Sequence, residues 1–182
     1  MERIAQFIFE AMFLKRVQRT GYQYLGAGRE SVAEHVYATT MIGFILSRIE
    51  PKADTERLIS MCLVHDLPEA RMGDLNYVQK NYVTVDEHKA VTDALSGIAF
   101  GHQIESLINE FNAGDTLEAK LANDADQLSL IVDLKSLQDL GYQTPQTWMP
   151  HVVERLKTKT GRDLAQKLAD TSKDDWWLRL FY

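Results

Sequence analysis

The sequence predicts an all-α fold, and three observations carry that prediction. Apolar side chains recur at three- and four-residue spacing along most of the chain, residues typical of helix caps separate these stretches, and no stretch of useful length alternates as a β-strand does. The chain has 182 residues, 45% of them apolar and 25% charged, which is ordinary for one globular domain. We therefore expect a single domain, a helical bundle over residues 1–182.

The chain is predicted to begin with an amphipathic helix. Its apolar stripe runs from about Ile4 to Val17. A turn-rich stretch follows, and Ser31 and Glu34 then stand at the spacing of a capping box, in which each side chain accepts a hydrogen bond from the other residue's backbone N–H. A second helix should therefore start at Ser31 and run to about Ile49.

A third helix is predicted after Asp54, whose side chain can cap its first turn. One face of this helix carries four side chains at three- and four-residue spacing: Leu58, Met61, Cys62 and His65. Pro68 disfavours helical geometry at the residue before it and lacks a backbone donor, so the helix should end or distort beside His65 and Asp66. The segment 71–83 is expected to be a loop.

Two long helices are predicted next. Thr84 and Glu87 again have capping-box spacing, and we expect a long helix from there to about Phe111. Another should run over residues 116–140 and end at Gly141, where a left-handed backbone conformation is favoured by glycine.

The C-terminal part is predicted to hold shorter helices. Thr144 followed by Pro145 places a capping residue before a proline at the first helical position, so a helix should open there. The remaining chain, which includes Trp176 and Trp177 and ends at Tyr182, fits one or two more short helices.

Composition and charge limit the classes of function. The net charge of -6 argues against a long nucleic-acid duplex as a partner, because phosphate neutralisation dominates such binding. A local basic cluster, such as Lys15, Arg16 and Arg19, could still hold a small anion. No run of about eighteen apolar residues predicts a membrane span, and the charged N-terminal stretch does not fit a signal peptide. We therefore expect a cytoplasmic protein with no membrane partner, and its single cysteine, Cys62, allows no internal disulfide.

Four side chains stand out as candidate metal ligands: His35, His65, Asp66 and Asp126. Imidazole and carboxylate groups together suit divalent ions such as manganese, iron, cobalt or zinc, and a buried carboxylate is costly unless it is paired or binds a cation. A lone histidine on an apolar face is usually a core residue, and a His-Asp dipeptide often arises by chance. The ordered set of His, His-Asp and Asp on three separate predicted helices is what favours a metal site.

The geometry of a helix bears on two of these predictions. The adjacent His65 and Asp66 would point about 100° apart on a regular helix, and the break expected at Pro68 offers a way for both to reach one ion. Asp124 lies two residues before Asp126 and points to a different helical face, so we expect it to be exposed or structural.

The ordered motifs resemble those of the HD-domain superfamily of metal-dependent phosphohydrolases, and specifically its 5'-nucleotidase-like branch. The resembling segments lie between about Leu14 and Leu137 and are Ser31–His35, His65–Glu69, Gly73–Leu75 and Ala125–Asp126. The resemblance implies an HD-domain helical bundle and a homodimer. It also implies one divalent metal ion, bound by His35, His65, Asp66 and Asp126. The candidate metals are manganese, iron, cobalt, zinc and magnesium.

The resemblance further implies roles for three residues around the metal. Glu69 would lie beside the metal's water and act with Asp66 as a catalytic residue, Asp74 would line the substrate pocket, and Arg19 would meet the phosphate. Judged from the residues alone, the alternative for Glu69 is a solvated side chain in a helix-terminal turn, which its spacing from Asp66 disfavours, and the alternative for Arg19 is an exposed side chain at a helix end.

The chain departs from the family pattern at two places. Some bacterial relatives carry a tryptophan where this chain has Thr20, and segment 76–83 differs from their proline-containing loop. Both places lie where the sugar and base would be bound, so the departures leave the identity of the substrate open.

The expected function is hydrolysis of a small phosphomonoester, most plausibly a nucleoside or deoxynucleoside 5'-monophosphate. Three alternatives stay open at this point. One is a phosphohydrolase for another ester, such as a cyclic nucleotide or a nucleoside triphosphate. The second is a non-catalytic sensor that binds a nucleotide or metal, and the third is a helical interaction scaffold with an accidental His-Asp pair.

Overall fold

The computed structural model describes residues 1–181 and confirms the all-α fold. The α-helices, in chain order, are α1 (Glu2–Met12), α2 (Tyr22–Leu25), α3 (Val32–Ile49), α4 (Thr55–Val64), α5 (Glu69–Met72), α6 (Glu87–Leu95), α7 (Gly101–Ala113), α8 (Leu117–Asp139), α9 (Pro145–Val153), α10 (Lys159–Asp170) and α11 (Asp175–Leu178). Short 3₁₀ turns occupy Phe13–Lys15 and Gln79–Asn81. Within residues 1–181 there is no β-strand, only an isolated bridge between Gln18 and Ser31.

The long helix α8 is the centre of the bundle. It packs against α3, α4, α7, α9 and α10, and its buried side chains point in all directions around the helix axis. The fully buried members include Leu121, Leu128, Ile131 and Leu134. Burial of each such side chain contributes about 1.5–3 kcal/mol. A helix surrounded in this way is a rigid element on which to mount a functional side chain.

Three predicted helix starts are confirmed by side-chain hydrogen bonds. Ser31 Oγ accepts from the backbone N–H of Glu34, and the Glu34 carboxylate accepts from the backbone N–H of Ser31, which completes the capping box of α3. Asp54 accepts from the N–H of Arg57 at the start of α4. Thr116 caps α8, and Gly141 takes the expected left-handed conformation, with φ of 95°, just after that helix.

The predicted break at Pro68 is also confirmed. Helix α4 ends at Val64, and the residues between it and α5 form a tight turn. In this turn the backbone N–H of Leu67 bonds the carbonyl of Val64, three residues back, rather than a carbonyl four residues back. His65 itself keeps helical backbone angles, and its N–H still bonds the carbonyl of Met61, so the tighter winding begins just after it.

The predicted long helix from Thr84 to Phe111 is wrong. The chain forms two helices here, α6 and α7, separated by a turn in which Gly97 has φ of 74°. Glycine tolerates this left-handed conformation, which a continuous helix cannot contain. The predicted capping box at Thr84 is wrong as well: Asp86 is the cap, because its side chain accepts from the N–H of Lys89.

Smaller corrections concern three segments. The predicted loop 71–83 begins inside α5 and contains a 3₁₀ turn, and the first helix ends at Met12 before another 3₁₀ turn. Pro145 is the first residue of α9 as predicted, but the side chain of Thr144 makes no capping bond. None of the helices in the described part of the chain is both long and apolar enough to cross a membrane.

Candidate metal centre

The structure brings the four candidate ligands together although they come from distant parts of the chain. His35 lies in the first turn of α3, His65 and Asp66 lie in the turn after α4, and Asp126 lies on α8. Candidate ligand atoms of His35, His65 and Asp126 all lie within 4.8 Å of one another. His35 Nε2 is 2.9 Å from Asp126 Oδ1 and 3.6 Å from Asp66 Oδ2, and His65 Nε2 is 3.3 Å from Asp66 Oδ2.

His65 is held in place through its other ring nitrogen. His65 Nδ1 lies 2.9 Å from the backbone carbonyl of Cys62, which can only accept a hydrogen bond, so Nδ1 carries the proton. The ring also packs on Phe111, with centroids 4.7 Å apart. This arrangement leaves the Nε2 lone pair of a neutral His65 directed towards the carboxylates, as in a metal-ligating histidine.

Two atoms at the centre of the cluster are buried without a hydrogen-bond partner among the described residues: His65 Nε2 and Asp66 Oδ2. Such groups are rare in folded proteins because each loses its hydration without compensation. Two imidazoles and the Asp126 carboxylate meet within 4.8 Å, Asp66 Oδ2 lies beside both imidazoles, and this donor set suits a divalent cation. The residues present therefore fit a metal ion.

The charges of the cluster favour a positive charge at its centre. Burial alone would lower the pKa of His65, but Asp66 and then Asp126 outweigh it and raise that pKa to about 9. Burial opposes ionisation of Asp66, yet His65 and His35 outweigh it and lower the pKa of Asp66 to about 2. The carboxylates thus stay ionised and attract either a proton on an imidazole or a metal ion.

A large open pocket lies directly beside this cluster. Its volume is about 1080 Å³, which is ample for a small-molecule ligand. His65, Asp66 and Asp126 form part of its wall, and all three other predicted site residues line it as well: Arg19, Glu69 and Asp74. The structure therefore brings all seven predicted site residues to one place, with the fully buried His35 directly behind the wall.

Glu69 begins the short helix α5, one turn after Asp66. Its Oε2 atom is buried and has no hydrogen-bond partner within residues 1–181, although the side chain lines the pocket. Burial, and then the neighbouring Asp66 and Asp74 carboxylates, raise the pKa of Glu69 to about 9. A carboxyl group in this setting can hold and release a proton at the edge of the pocket.

Arg19 lies between the metal cluster and the pocket. Arg19 Nη1 is 3.7 Å from Asp66 Oδ2, and Arg19 Nε is 3.9 Å from Glu30 Oε2. Burial alone would lower the pKa of Arg19, but Asp126 and then Asp66 outweigh it and raise that pKa. The guanidinium is therefore a permanent cation beside the candidate metal site.

Asp74 is held in place by Thr20, a residue at which this chain departs from the family pattern. Thr20 donates to Asp74 Oδ2 from its backbone N–H, at 2.6 Å, and from its hydroxyl, at 2.8 Å. Asn76 Nδ2 in turn donates to the Thr20 hydroxyl at 3.1 Å. These bonds attach the segment after α5 to the chain just beyond Arg19, so Thr20 links two parts of the pocket wall.

The rest of the pocket wall is partly apolar and partly basic. Apolar side chains on it include Leu25, Phe111, Leu130, Trp148 and Val152, and basic ones include Lys80 and Arg155. Trp148 packs within about 3.8–3.9 Å of where a side chain at Gly21 would begin, and it lines the pocket at the same time.

Several hydrogen-bond partners around the cluster were not predicted from the sequence. Ser129 Oγ lies 2.9 Å from His35 Nδ1, and Gln127 Nε2 donates to Asp126 Oδ2 at 2.7 Å. Further out, Tyr22 donates to Asp133 and lies 3.4 Å from Glu30. The signal for Ser129 was available in principle, because a hydroxyl three residues after Asp126 faces the same side of α8.

Asp124 is structural, one of the two outcomes expected for it. It is fully buried and accepts hydrogen bonds from the backbone N–H groups of Lys157 and Thr158 and from the Thr158 hydroxyl. These bonds hold the start of α10 against α8, on the side away from Asp126.

Comparison with known proteins gives a consistent result. Residues 11–168 match the sequence profile of the HD domain family. A zebrafish (Danio rerio) protein named 5'-deoxynucleotidase HDDC2 is 30% identical over 147 residues, which are 77% of this chain and 72% of that protein. The human protein of the same name is 26% identical over 147 residues, with 77% and 71% coverage. A solved structure, a conserved hypothetical protein from Pyrococcus furiosus, has a TM-score of 0.77 and 26% identity, and covers 92% of this chain and 99% of its own.

Proposed function

This chain belongs to the HD domain family, and on that premise we propose that it is a metal-dependent phosphohydrolase that cleaves a nucleoside 5'-monophosphate. The observation that carries the proposal is the convergence of two imidazoles and two carboxylates, with unpartnered buried atoms, on the wall of a pocket. A scaffold would need neither this cluster nor the unpaired Glu69 carboxyl group beside it, and a sensor that only binds a nucleotide or metal would not need that carboxyl group.

In the proposed enzyme His35, His65, Asp66 and Asp126 hold one divalent ion, drawn from manganese, cobalt, iron, zinc and magnesium. When bound, such an ion lowers the pKa of a water ligand and polarises a phosphoryl oxygen. Ligand type alone does not select among these metals, because availability and geometry decide as well. The metal must therefore be identified by assay.

Residues of the chain itself bind the phosphate, transfer the proton and bind the sugar. Arg19 binds the phosphate: its planar guanidinium can donate two parallel hydrogen bonds to phosphate oxygens, and its charge is permanent. Glu69 orients the attacking water and moves its proton to the leaving alcohol oxygen, a role supported by its unpaired, buried Oε2 atom. Asp66 both holds the ion and, through its charge, keeps Arg19 oriented. Asp74 accepts a hydrogen bond from a sugar hydroxyl.

We propose a deoxynucleoside monophosphate as the leading substrate and a ribonucleoside monophosphate as the next. Support comes from the zebrafish and human relatives, which are named 5'-deoxynucleotidase. The apolar wall formed by Leu25, Leu130, Trp148 and Val152 suits the flat face of a base. The large pocket, with Lys80 and Arg155 on its wall, also leaves a cyclic nucleotide or a nucleoside triphosphate as the alternative.

The deciding experiment measures phosphate and pyrophosphate release from a panel of nucleotides. Metal-stripped protein is supplied with manganese, cobalt, iron, zinc or magnesium, and Asp66→Asn and Asp126→Asn variants run beside it. We expect metal-dependent phosphate release from monophosphates that both variants lose. Pyrophosphate release or activity only on cyclic substrates would replace the leading substrate, and nucleotide binding without turnover under every metal would favour the sensor.

We also propose a cytoplasmic homodimer. Large apolar side chains are exposed along one face of α3, namely Tyr37, Met41, Phe44 and Ile45, and near the C-terminus, namely Trp176, Leu180 and Phe181. Exposed apolar patches of this kind mark protein contacts in many soluble proteins. Sedimentation showing only a monomer at micromolar concentration would refute the dimer, and cell fractionation would test the location.

A further inference from the structure

A buried hydroxyl group lies directly behind the candidate ligand His35. Ser129 is on α8, one turn after Asp126, and only 2% of it is exposed. Its Oγ atom is 2.9 Å from His35 Nδ1 and 2.9 Å from the backbone carbonyl of Asp126. Thr39 Oγ1 lies farther from Ser129 Oγ, at 3.4 Å.

The chemistry of these groups decides where the protons lie when a cation is bound. A serine hydroxyl has one proton to donate and two lone pairs that accept, whereas a backbone carbonyl can only accept. When the Ser129 hydroxyl donates to the Asp126 carbonyl, its oxygen is left to accept the proton of His35 Nδ1. The lone pair of His35 Nε2 then points at Asp126 Oδ1, 2.9 Å away, and two acceptors this close require a cation between or beside them.

We propose that Ser129 is a positioning residue of the metal centre: its hydroxyl holds His35 with the proton on Nδ1 and so presents Nε2 to the divalent ion. This inference rests on the proposed function, since it assigns a task within the same site. The partner of the other histidine supports it, because the Cys62 carbonyl holds His65 Nδ1 in the same way. Ligating histidines generally need such a partner, and loss of one typically weakens metal binding about 10- to 100-fold.

Ser129 also connects two ligands mechanically. Its hydroxyl bonds the backbone of Asp126 and the ring of His35, which come from α8 and α3. A single side chain thereby sets both the tautomer of His35 and its distance from Asp126. The corresponding partner of His65 is a backbone carbonyl, which a side-chain substitution does not remove.

The test compares Ser129→Ala with a matched control, Ser47→Ala. Ser47 is also buried, and its hydroxyl bonds the carbonyl three residues back, Phe44, at 2.7 Å, but it is far along α3 from His35. Metal-stripped proteins are titrated with manganese and with zinc, without substrate, and thermal unfolding is recorded for the metal-free forms. We expect the metal Kd to rise about 10- to 100-fold in Ser129→Ala and to stay unchanged in Ser47→Ala. The unfolding temperatures of the two metal-free variants should fall by similar amounts.

Two further measurements separate positioning from general damage. Ser129→Thr keeps the hydroxyl and should recover most of the metal affinity. In the zinc-loaded wild-type protein, long-range ¹H–¹⁵N NMR should show His35 protonated at Nδ1. Wild-type affinity in Ser129→Ala, or a proton on Nε2 in the zinc-loaded protein, would overturn the inference and leave the proposed function standing. Failure of the wild-type protein to bind any metal would instead refute the proposed function itself.

Discussion

Arg19 Nη1 lies 3.7 Å from Asp66 Oδ2, so the cation proposed to bind phosphate touches a carboxylate proposed to bind metal. Asp66 has an Oδ2 atom without a hydrogen-bond partner in the described structure, and the guanidinium is the nearest permanent positive charge on the pocket side. Phosphate and metal would therefore be bound by adjoining groups, and a substrate phosphate can contact both at once.

Arg19→Lys should weaken substrate use while sparing the metal. Lysine keeps the charge but loses the planar pair of donors, and a charge-assisted hydrogen bond is worth about 1.5–3 kcal/mol. We expect kcat/KM to fall about 10- to 100-fold, mainly through KM, at unchanged metal content. Arg16→Lys, at an exposed position nearby, is the control. Loss of the metal together with activity would show that Arg19 acts on the cluster and not on the phosphate.

Glu69→Gln should keep the metal and lose most turnover. The amide has nearly the shape of the carboxyl group but cannot transfer a proton, and general acid–base catalysis typically contributes about 10²- to 10⁴-fold. We expect kcat to fall by about that factor while the metal Kd and the KM stay within a few-fold of wild type. Steady-state kinetics and metal analysis of the same preparation check this prediction. Full activity in Glu69→Gln or in Glu69→Ala would remove Glu69 from the mechanism.

The fold and the clustering of the candidate ligands were predictable because their signals are local or ordered along the chain. The capping residues Ser31 and Asp54 and the break at Pro68 act within a few residues of themselves, and each is confirmed. The failure at Thr84 is local as well. Two acceptable caps compete within three residues, and the bond from Lys89 to Asp86 decides between them.

The surroundings of the site could not be predicted because they depend on contacts between distant elements. Ser129 forms a hydrogen bond with His35, which lies 94 residues earlier in the chain, and Thr20 forms one with Asp74, which lies 54 residues later. The sequence places Ser129 on the same side of α8 as Asp126 and Thr20 next to Arg19, but it does not identify His35 or Asp74 as their partners. Only the packing of α8 against α3, and of the segment after α5 against the turn that precedes α2, gives them their partners.

Asp74→Asn should change the preference among sugars. Thr20 occupies one oxygen of Asp74, Oδ2, with two hydrogen bonds, which leaves Oδ1 as the acceptor for a substrate hydroxyl. Asp74→Asn and wild type are compared on ribo-, 2'-deoxy- and 2',3'-dideoxynucleoside monophosphates. On substrates that carry the sugar hydroxyl bound by Asp74, we expect kcat/KM to fall about 10-fold or more in Asp74→Asn. On a substrate that lacks this hydroxyl, kcat/KM should change little.

Thr20→Val is the companion variant for Asp74. It keeps the shape of Thr20 but removes the hydroxyl donor, so it should reproduce part of the same change in sugar preference. An equal loss on all three sugars in Asp74→Asn would mean that the carboxylate maintains the pocket wall and does not read the sugar.

Asp124→Asn should destabilise the protein without weakening metal binding, although Asp124 is only two residues from Asp126. The buried Asp124 carboxylate accepts from two backbone N–H groups and the Thr158 hydroxyl, and an amide nitrogen would turn one of its two acceptors into a donor facing those groups. Loss of such charge-assisted bonds costs about 2–3 kcal/mol, which lowers the Tm by roughly 4–12 °C for a protein of this size.

Gly161→Ala should have a similar effect on stability, because its new Cβ atom would collide with the Asp124 carboxylate. Asp163→Asn, on the exposed side of α10, is the matched control and should leave the Tm nearly unchanged. Thermal unfolding and manganese titration of the metal-free variants check both statements. A weakened metal Kd in Asp124→Asn at an unchanged Tm would place Asp124 in the metal centre, against its position on the far side of α8.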